Sequence, residues 1–254
     1  MFINSIKAIY KNKLFLIAIL IIPIMVLFEL MISMSFNIRH SIMFCKADAI
    51  ISSFHPFLFS TLIIPLCFIV LINIKRYNIN LNTIIRFKNK DQIWFVFIEY
   101  CLLICLTVII LVSITSHLFS LIFVKSDMTW QYYSSSFAYS TNEITIRYSY
   151  SNVFVLSILI NTIYFFMVEL VGIFVYYITE NDWIAIIFTI IISNINILTG
   201  NSIVILNDLI VSYQSLKRNT FGFALIIELS LIAIIIILGK FLFKRKEFLN
   251  EKNK

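Results

Sequence analysis

Six apolar runs leave this chain few ways to fold: roughly Leu14–Ser33, Phe54–Ile74, Trp94–Ser116, Val153–Tyr177, Ile184–Leu206 and Phe221–Phe243. Each reaches or passes the ~20 residues that a helix needs to cross the hydrocarbon core of a bilayer. In that solvent a segment must satisfy its own backbone hydrogen bonds, so runs of this length become helices. The chain has 254 residues, 61% of them hydrophobic, well above the roughly half-apolar content of a soluble domain. Six spans leave room only for short connections. The expected fold is all-α: a single polytopic domain over residues 1–254 with six transmembrane helices.

The connections share their basic residues unevenly. With the N-terminus inside, Lys7, Lys11, Lys13, Lys75, Arg76, Arg86, Lys88, Lys90, Lys240, Lys244, Arg245, Lys246, Lys252 and Lys254 fall on the inner side. Arg39, Lys46, Lys125, Arg147, Lys217 and Arg218 fall on the outer side. This bias predicts that both termini are cytoplasmic. A net charge of +7 would suggest nucleic acid in a soluble protein. Here the basic residues flank the spans and meet anionic lipid instead, so the lipid bilayer is the expected partner and nucleic acid is not. Lys7, Lys11 and Lys13 resemble the start of a signal peptide. The run after them is long and lacks a small-residue cleavage site, so it reads as a retained helix.

Within residues 1–13, Phe2, Ile3, Ile6, Ile9 and Tyr10 gather on one side of a helix and Asn4, Lys7 and Lys11 on the other. That pattern suits a helix lying in the inner interface. Pro23 in the first span is tolerable at membrane depth, whereas Pro65 predicts a kink in the second. The inner loop 75–93 holds five of the basic residues. Asn82 or Thr83 could cap a short helix through Lys88, and the alternation of Tyr77 to Asn82 fits an extended stretch equally well. The outer loop 117–152 is the longest. Ile144, Ile146, Tyr148 and Tyr150 alternate there with polar residues, as in a strand or a surface-lying segment. The inner turn Thr179–Trp183 is tight and acidic. Ser193, Asn194, Asn196, Thr199, Gly200 and Asn201 interrupt the fifth span. The stretch Ile203–Val211 after them fits a re-entrant or interface-lying outer segment.

No lysine or arginine lies in the central part of a span, but Glu29, Glu99, Glu169 and Glu228 do lie within spans. Ionisable groups at depth are costly and suggest function by default. Glu29 and Glu228 fall in the outer part of their spans and Glu99 and Glu169 in the inner half, so an outer and an inner pair are expected. With Asn194 and Asn196 they are candidates for a polar substrate path. Interhelical hydrogen bonding is the plainer alternative. Cys45, Cys67, Cys101 and Cys105 read as small packing residues. His40, Cys45, Asp48, His55 and His117 share the outer side without the spacing of a zinc site. No P-loop, H-E-x-x-H or G-x-S-x-G sequence occurs, and no catalytic residues or bound cofactor are expected.

The arrangement of the leader Phe2–Lys13, the loop Lys75–Ile93, the turn Thr179–Trp183 and the interrupted segment Gly200–Lys217 resembles the ABC-2 type permeases. The likeness is to the small six-span subunits found with bacteriocin-immunity and peptide-export ATPases of Gram-positive bacteria. The resemblance implies a multi-pass protein of the bacterial plasma membrane, with an interfacial N-terminal helix and a segment that dips back before the last span. It implies that ATP and Mg are bound by a separate ABC ATPase subunit. Asn82, Thr83, Ile84, Ile85, Arg86, Phe87 and Lys88 would dock on that subunit, with Glu180 and Asp182 nearby. A second permease protomer, the same or a similar chain, would complete the path for an apolar or amphipathic substrate such as a small peptide. A rival from another class is a non-transporting immunity or sensor protein that captures a peptide with its outer loop. A subunit for vitamin uptake would need a compact pocket for which no residues stand out.

Overall fold

The computed structural model describes residues 2–78, 91–195 and 209–245. In chain order it contains α1 (Phe2–Lys11), α2 (Lys13–Arg39), α3 (Lys46–Ser53) and α4 (Pro56–Leu58). A π-helical turn (Phe59–Ile63) leads from α4 into α5 (Ile64–Asn78). There follow α6 (Asp91–Phe123), α7 (Ser136–Thr141), α8 (Tyr150–Thr179), α9 (Asp182–Ser193), α10 (Tyr213–Arg218) and α11 (Phe221–Arg245). No strand occurs among the described residues, where Met43 and Ser135 form an isolated bridge.

Among the described residues, five stretches are long and apolar enough to cross a membrane: Lys13–Arg39, Lys46–Ile74, Gln92–Phe123, Tyr150–Thr179 and Phe221–Leu242. The protein is therefore an all-helical membrane protein with several spanning helices. α9 is as apolar as the others but only 12 residues long, about 18 Å. α9 covers the first part of the expected fifth span, to Ser193, and residues 196–206 of that span lie outside the described residues.

Local chemistry fixes where the helices begin and end. Asn12 breaks the leader from the first span. Its Oδ1 accepts from the backbone of Leu14 and Phe15, capping α2, and its Nδ2 donates to Asn73 Oδ1 at 2.8 Å. α1 packs on α2, α5 and α6 with Ile9 in the main core. α8 lies at the centre, against α6, α9 and α11. α2 and α11 turn apolar side chains outward, among them Leu20, Ile24 and Phe28 on one and Phe223, Ile226 and Phe241 on the other. An apolar surface of that extent suits lipid and not water.

At one end of the bundle Trp94 donates to the Ile236 carbonyl at 3.1 Å and meets the Tyr177 ring edge to face. The start of α6, the end of α8 and the late part of α11 thus converge. At the other end a second core forms from Cys45, Ala47, Ile51, Trp130, Phe137, Val153, Val211 and Leu216, beneath α3, α7 and α10.

Two expectations change here. The long outer loop is shorter than 117–152, because α6 continues to Phe123 and α8 begins at Tyr150. His117 is a helical residue whose Nδ1 meets the Tyr150 hydroxyl at 2.6 Å. The alternating residues 144–149 do not pair as a strand. Thr145 N–H bonds the Trp130 carbonyl and the Tyr148 hydroxyl donates to the Leu216 carbonyl, so side-chain and turn contacts replace a ladder.

Candidate functional site

Pro65 sets the geometry of the site. In the wide turn before it, Ile64 N–H reaches back to the Phe59 carbonyl, five residues away. In that register the Ser60 carbonyl should be bonded by residue 65, which is proline and has no N–H. An orphaned carbonyl inside a membrane protein costs several kcal/mol unless another donor reaches it. Two side chains at the end of α9 do so. Ser193 Oγ donates to the Ser60 carbonyl at 2.8 Å and Asn194 Nδ2 at 3.3 Å. Thr61 Oγ1 donates to Asn194 Oδ1 at 2.7 Å. The expected kink is thus a π-turn with an outside partner.

The end of α9 is tied to α8 as well: the Tyr164 hydroxyl donates to the Ser193 carbonyl at 2.8 Å. α9 starts at the opposite end, where Glu180 closes α8 in a left-handed conformation (φ 54°). There Asn181 Oδ1 accepts from Trp183 and Ile184 N–H. α5, α8 and α9 therefore meet in a polar knot, held by side chains spread over the chain.

Glu228, on α11, is 0% exposed, neither of its carboxyl oxygens has a hydrogen-bond partner among the described residues, and it lies within electrostatic range of the Tyr164 hydroxyl. Glu169, also buried and without a partner, lies elsewhere, in electrostatic range of Cys67, Cys101 and Cys105. Those free thiols and Glu169 do not form a metal site: among the described residues no three His, Cys, Asp or Glu side chains could hold an ion. Glu99 is half-buried with one oxygen unpartnered, and Glu29 faces His55 at 3.8 Å. Each of the four glutamates thus has its own set of neighbours among the described residues. Asn194 joins the knot. Asn196 lies outside the described residues, as do Asn82, Thr83, Ile84, Ile85, Arg86, Phe87 and Lys88. Glu180 and Asp182 flank the α8–α9 turn, Glu180 exposed and Asp182 beside a cleft of about 310 Å³ lined also by Ile69, Ile72, Asn73, Trp183 and Ile186.

Sequence reasoning passed over Tyr164, Ser60 and Thr61. The available signal was the spacing of Ser157, Asn161 and Tyr164, which puts three polar groups on one face of an apolar helix. It also passed over the centre of the opposite end. Asp48 is completely buried, and its Oδ1 accepts from Trp130 Nε1 at 2.8 Å and the Tyr213 hydroxyl at 2.9 Å. Its Oδ2 accepts from Cys45 N–H at 2.8 Å. Burial, and after it the Asp48 carboxylate, pushes the Cys45 thiol up to about 12 and the Tyr213 hydroxyl well above its ordinary value. No protein-family model, no curated protein and no solved structure matches this chain.

Proposed function

We propose that this chain is the membrane subunit of an ATP-driven exporter, moving an apolar or amphipathic substrate such as a small peptide. The carrying observation is the polar knot at the end of α9, together with a buried Glu228 that has no hydrogen-bond partner among the described residues. A buried ionisable group at depth is expensive to keep, and a broken helix at depth is a recurrent way of building a binding site in membrane transporters. Both termini and the turn Glu180–Asp182 would face the cytoplasm. Residues 82–88 would dock on an ABC ATPase that binds ATP and Mg, and a second permease protomer would complete the path. Catalysis would belong to the ATPase and not to this chain. Two features support a docked motor: the inside-positive bias of the loops, and the cleft between α5 and α9 beside Asp182.

The test is purification of the chain from its own membrane, with and without residues 82–90, to see whether an ATPase comes with it. Loss of association and of substrate efflux on deletion is expected. Retained efflux, or no associating ATPase, defeats the reading. A second reading has its own observation: around the Asp48 core the surface carries Tyr132, Tyr133, Tyr139 and Ile146, the last 85% exposed. Such side chains would suit capture of a peptide by a non-transporting immunity or sensor protein. That reading predicts protection that survives the deletion and is lost when Tyr133 and Ile146 become serine.

A further inference from the structure

We propose that the cleft between α5 and α9 binds the ammonium head of an amphipathic amine, with its tail along the deeper wall. The two helices run antiparallel. Ser193 at the end of α9 reaches Ser60 in the π-turn before α5, and Asp182 at the start of α9 shares the cleft with Asn73 near the end of α5. Four residues back from Asn73 stands Ile69, and four residues on from Asp182 stands Ile186. Four residues are about one helical turn, ~6 Å of rise, so both walls pass from polar to apolar together and in the same direction. The polar mouth lies where two membrane-length stretches stop, Lys46–Ile74 and Tyr150–Thr179. That is the level at which an amphipathic molecule keeps its head.

The chemistry of the mouth selects the head. Among the described residues that line the cleft, Asp182 carries the only formal charge. Its neighbour Trp183 is 73% exposed and presents an indole. A carboxylate beside an indole attracts a cation both as an ion pair and through the ring quadrupole, and disfavours a head of net negative charge. The Asn73 amide also lines the mouth, and its Oδ1 accepts from Asn12 at 2.8 Å, which joins the site to the start of α2. A volume of about 310 Å³ stands at the low end of the ~300–1,000 Å³ range of small-molecule pockets. It takes one head and the first part of a tail.

Two sources carry this chemistry, an aminophospholipid of the bilayer or a free single-chain amine. The proposal does not depend on an ATPase, so the purified chain alone tests it. Trp94 and Trp130 are fully buried, so acrylamide quenching of tryptophan fluorescence reads Trp183. In maltoside micelles dodecylammonium should shield Trp183 from the quencher in a saturable way, and dodecanol at the same micellar fraction should not. Asp182→Asn should weaken the response about threefold to tenfold, the worth of a partly exposed ion pair with a cation–π contact. Ile69→Phe, which fills the apolar wall and keeps the carboxylate, should weaken it too, and stands in should Asp182→Asn fail to fold. Equal shielding of wild type by dodecanol and dodecylammonium overturns the proposal, as does an unchanged response in a folded variant. Nanodiscs separate the sources. Shielding in phosphatidylethanolamine but not in phosphatidylglycerol identifies the lipid, and shielding by dodecylammonium without it identifies a free amine. Absence of an ATPase would leave these results unchanged, and a negative result here would leave ATPase association unchanged.

Discussion

The Trp94 indole lies directly over Gly239: a Cβ on that glycine would stand 2.3 Å from two ring carbons. Trp94 is fully buried and its Nε1 is fixed on the Ile236 carbonyl, so the ring has little freedom to yield. Gly239→Ala should therefore destabilise the protein by ~1–3 kcal/mol through overpacking. Gly222→Ala, where a Cβ meets nothing within 4 Å, should be neutral or slightly stabilising, since alanine favours the helix. Thermal unfolding of the two variants side by side checks the contrast, and equal Tm values would show that α6 and α11 do not pack as described.

Asp48 ties three parts of the chain at the other end. Trp130 lies 82 residues away in sequence and Tyr213 lies 165 away, so this carboxyl closes the connection between α6 and α8, and α10, onto α3. Asp48→Ala strips acceptors from three buried donors, each of which costs ~1–3 kcal/mol unpaired. Asp48→Asn keeps the Oδ1 acceptor but turns an amide N–H towards the Cys45 N–H. The expected order of Tm is wild type, then Asn, then Ala. Limited proteolysis between residues 124 and 149 should accelerate in the same order.

The distance between these partners explains what the sequence could disclose. Span-length apolar runs are local signals, and five of the six appear as long helices. The cap at Asn181 and the interruption at Ser193 and Asn194 are local as well, and both are visible where the chain is read residue by residue. Asp48 looked like one polar residue in an outer loop, because nothing near it in sequence announces Trp130 or Tyr213. Pro65 announced a kink. The register of the wide turn, and hence the orphaned Ser60 carbonyl, depends on side chains more than 130 positions away. Depth along a helix is legible from residue counting, but the neighbours each glutamate meets are set by packing among α2, α6, α8 and α11.

Cys45 gives a pH dependence. Its thiol is protonated in the folded protein up to about pH 12, against an ordinary 9.0. In the unfolded chain the same thiol ionises near that ordinary value. The folded state therefore binds more protons between these values, and stability falls as pH rises through that window. Below about pH 9 the contribution is fully present. The slope should be shallower in Cys45→Ala, measured by denaturant unfolding at several alkaline pH values. An identical slope in both proteins would show that burial of the thiol does not govern it. The thiol should also resist iodoacetamide at mildly alkaline pH until the protein unfolds, since Cys45 is 0% exposed.

The knot between α5 and α9 makes a sharper prediction, because one residue both creates the need and can remove it. The Ser60 carbonyl accepts from Ser193 Oγ and Asn194 Nδ2 because Pro65 cannot donate to it. Replacing either donor singly leaves the other in place, so Ser193→Ala and Asn194→Ala should each cost ~1 kcal/mol. Together they leave the carbonyl without a donor, and the double variant should lose more than the sum of the two. Pro65→Ala restores an N–H at the position the π-turn register requires. Added to the double variant it should recover part of the loss, while in the wild-type background, where the carbonyl is already satisfied, it should gain less. A triple variant no more stable than the double would mean that the Ser60 carbonyl is satisfied by some other group, and that α9 is not held to α5 by this bond.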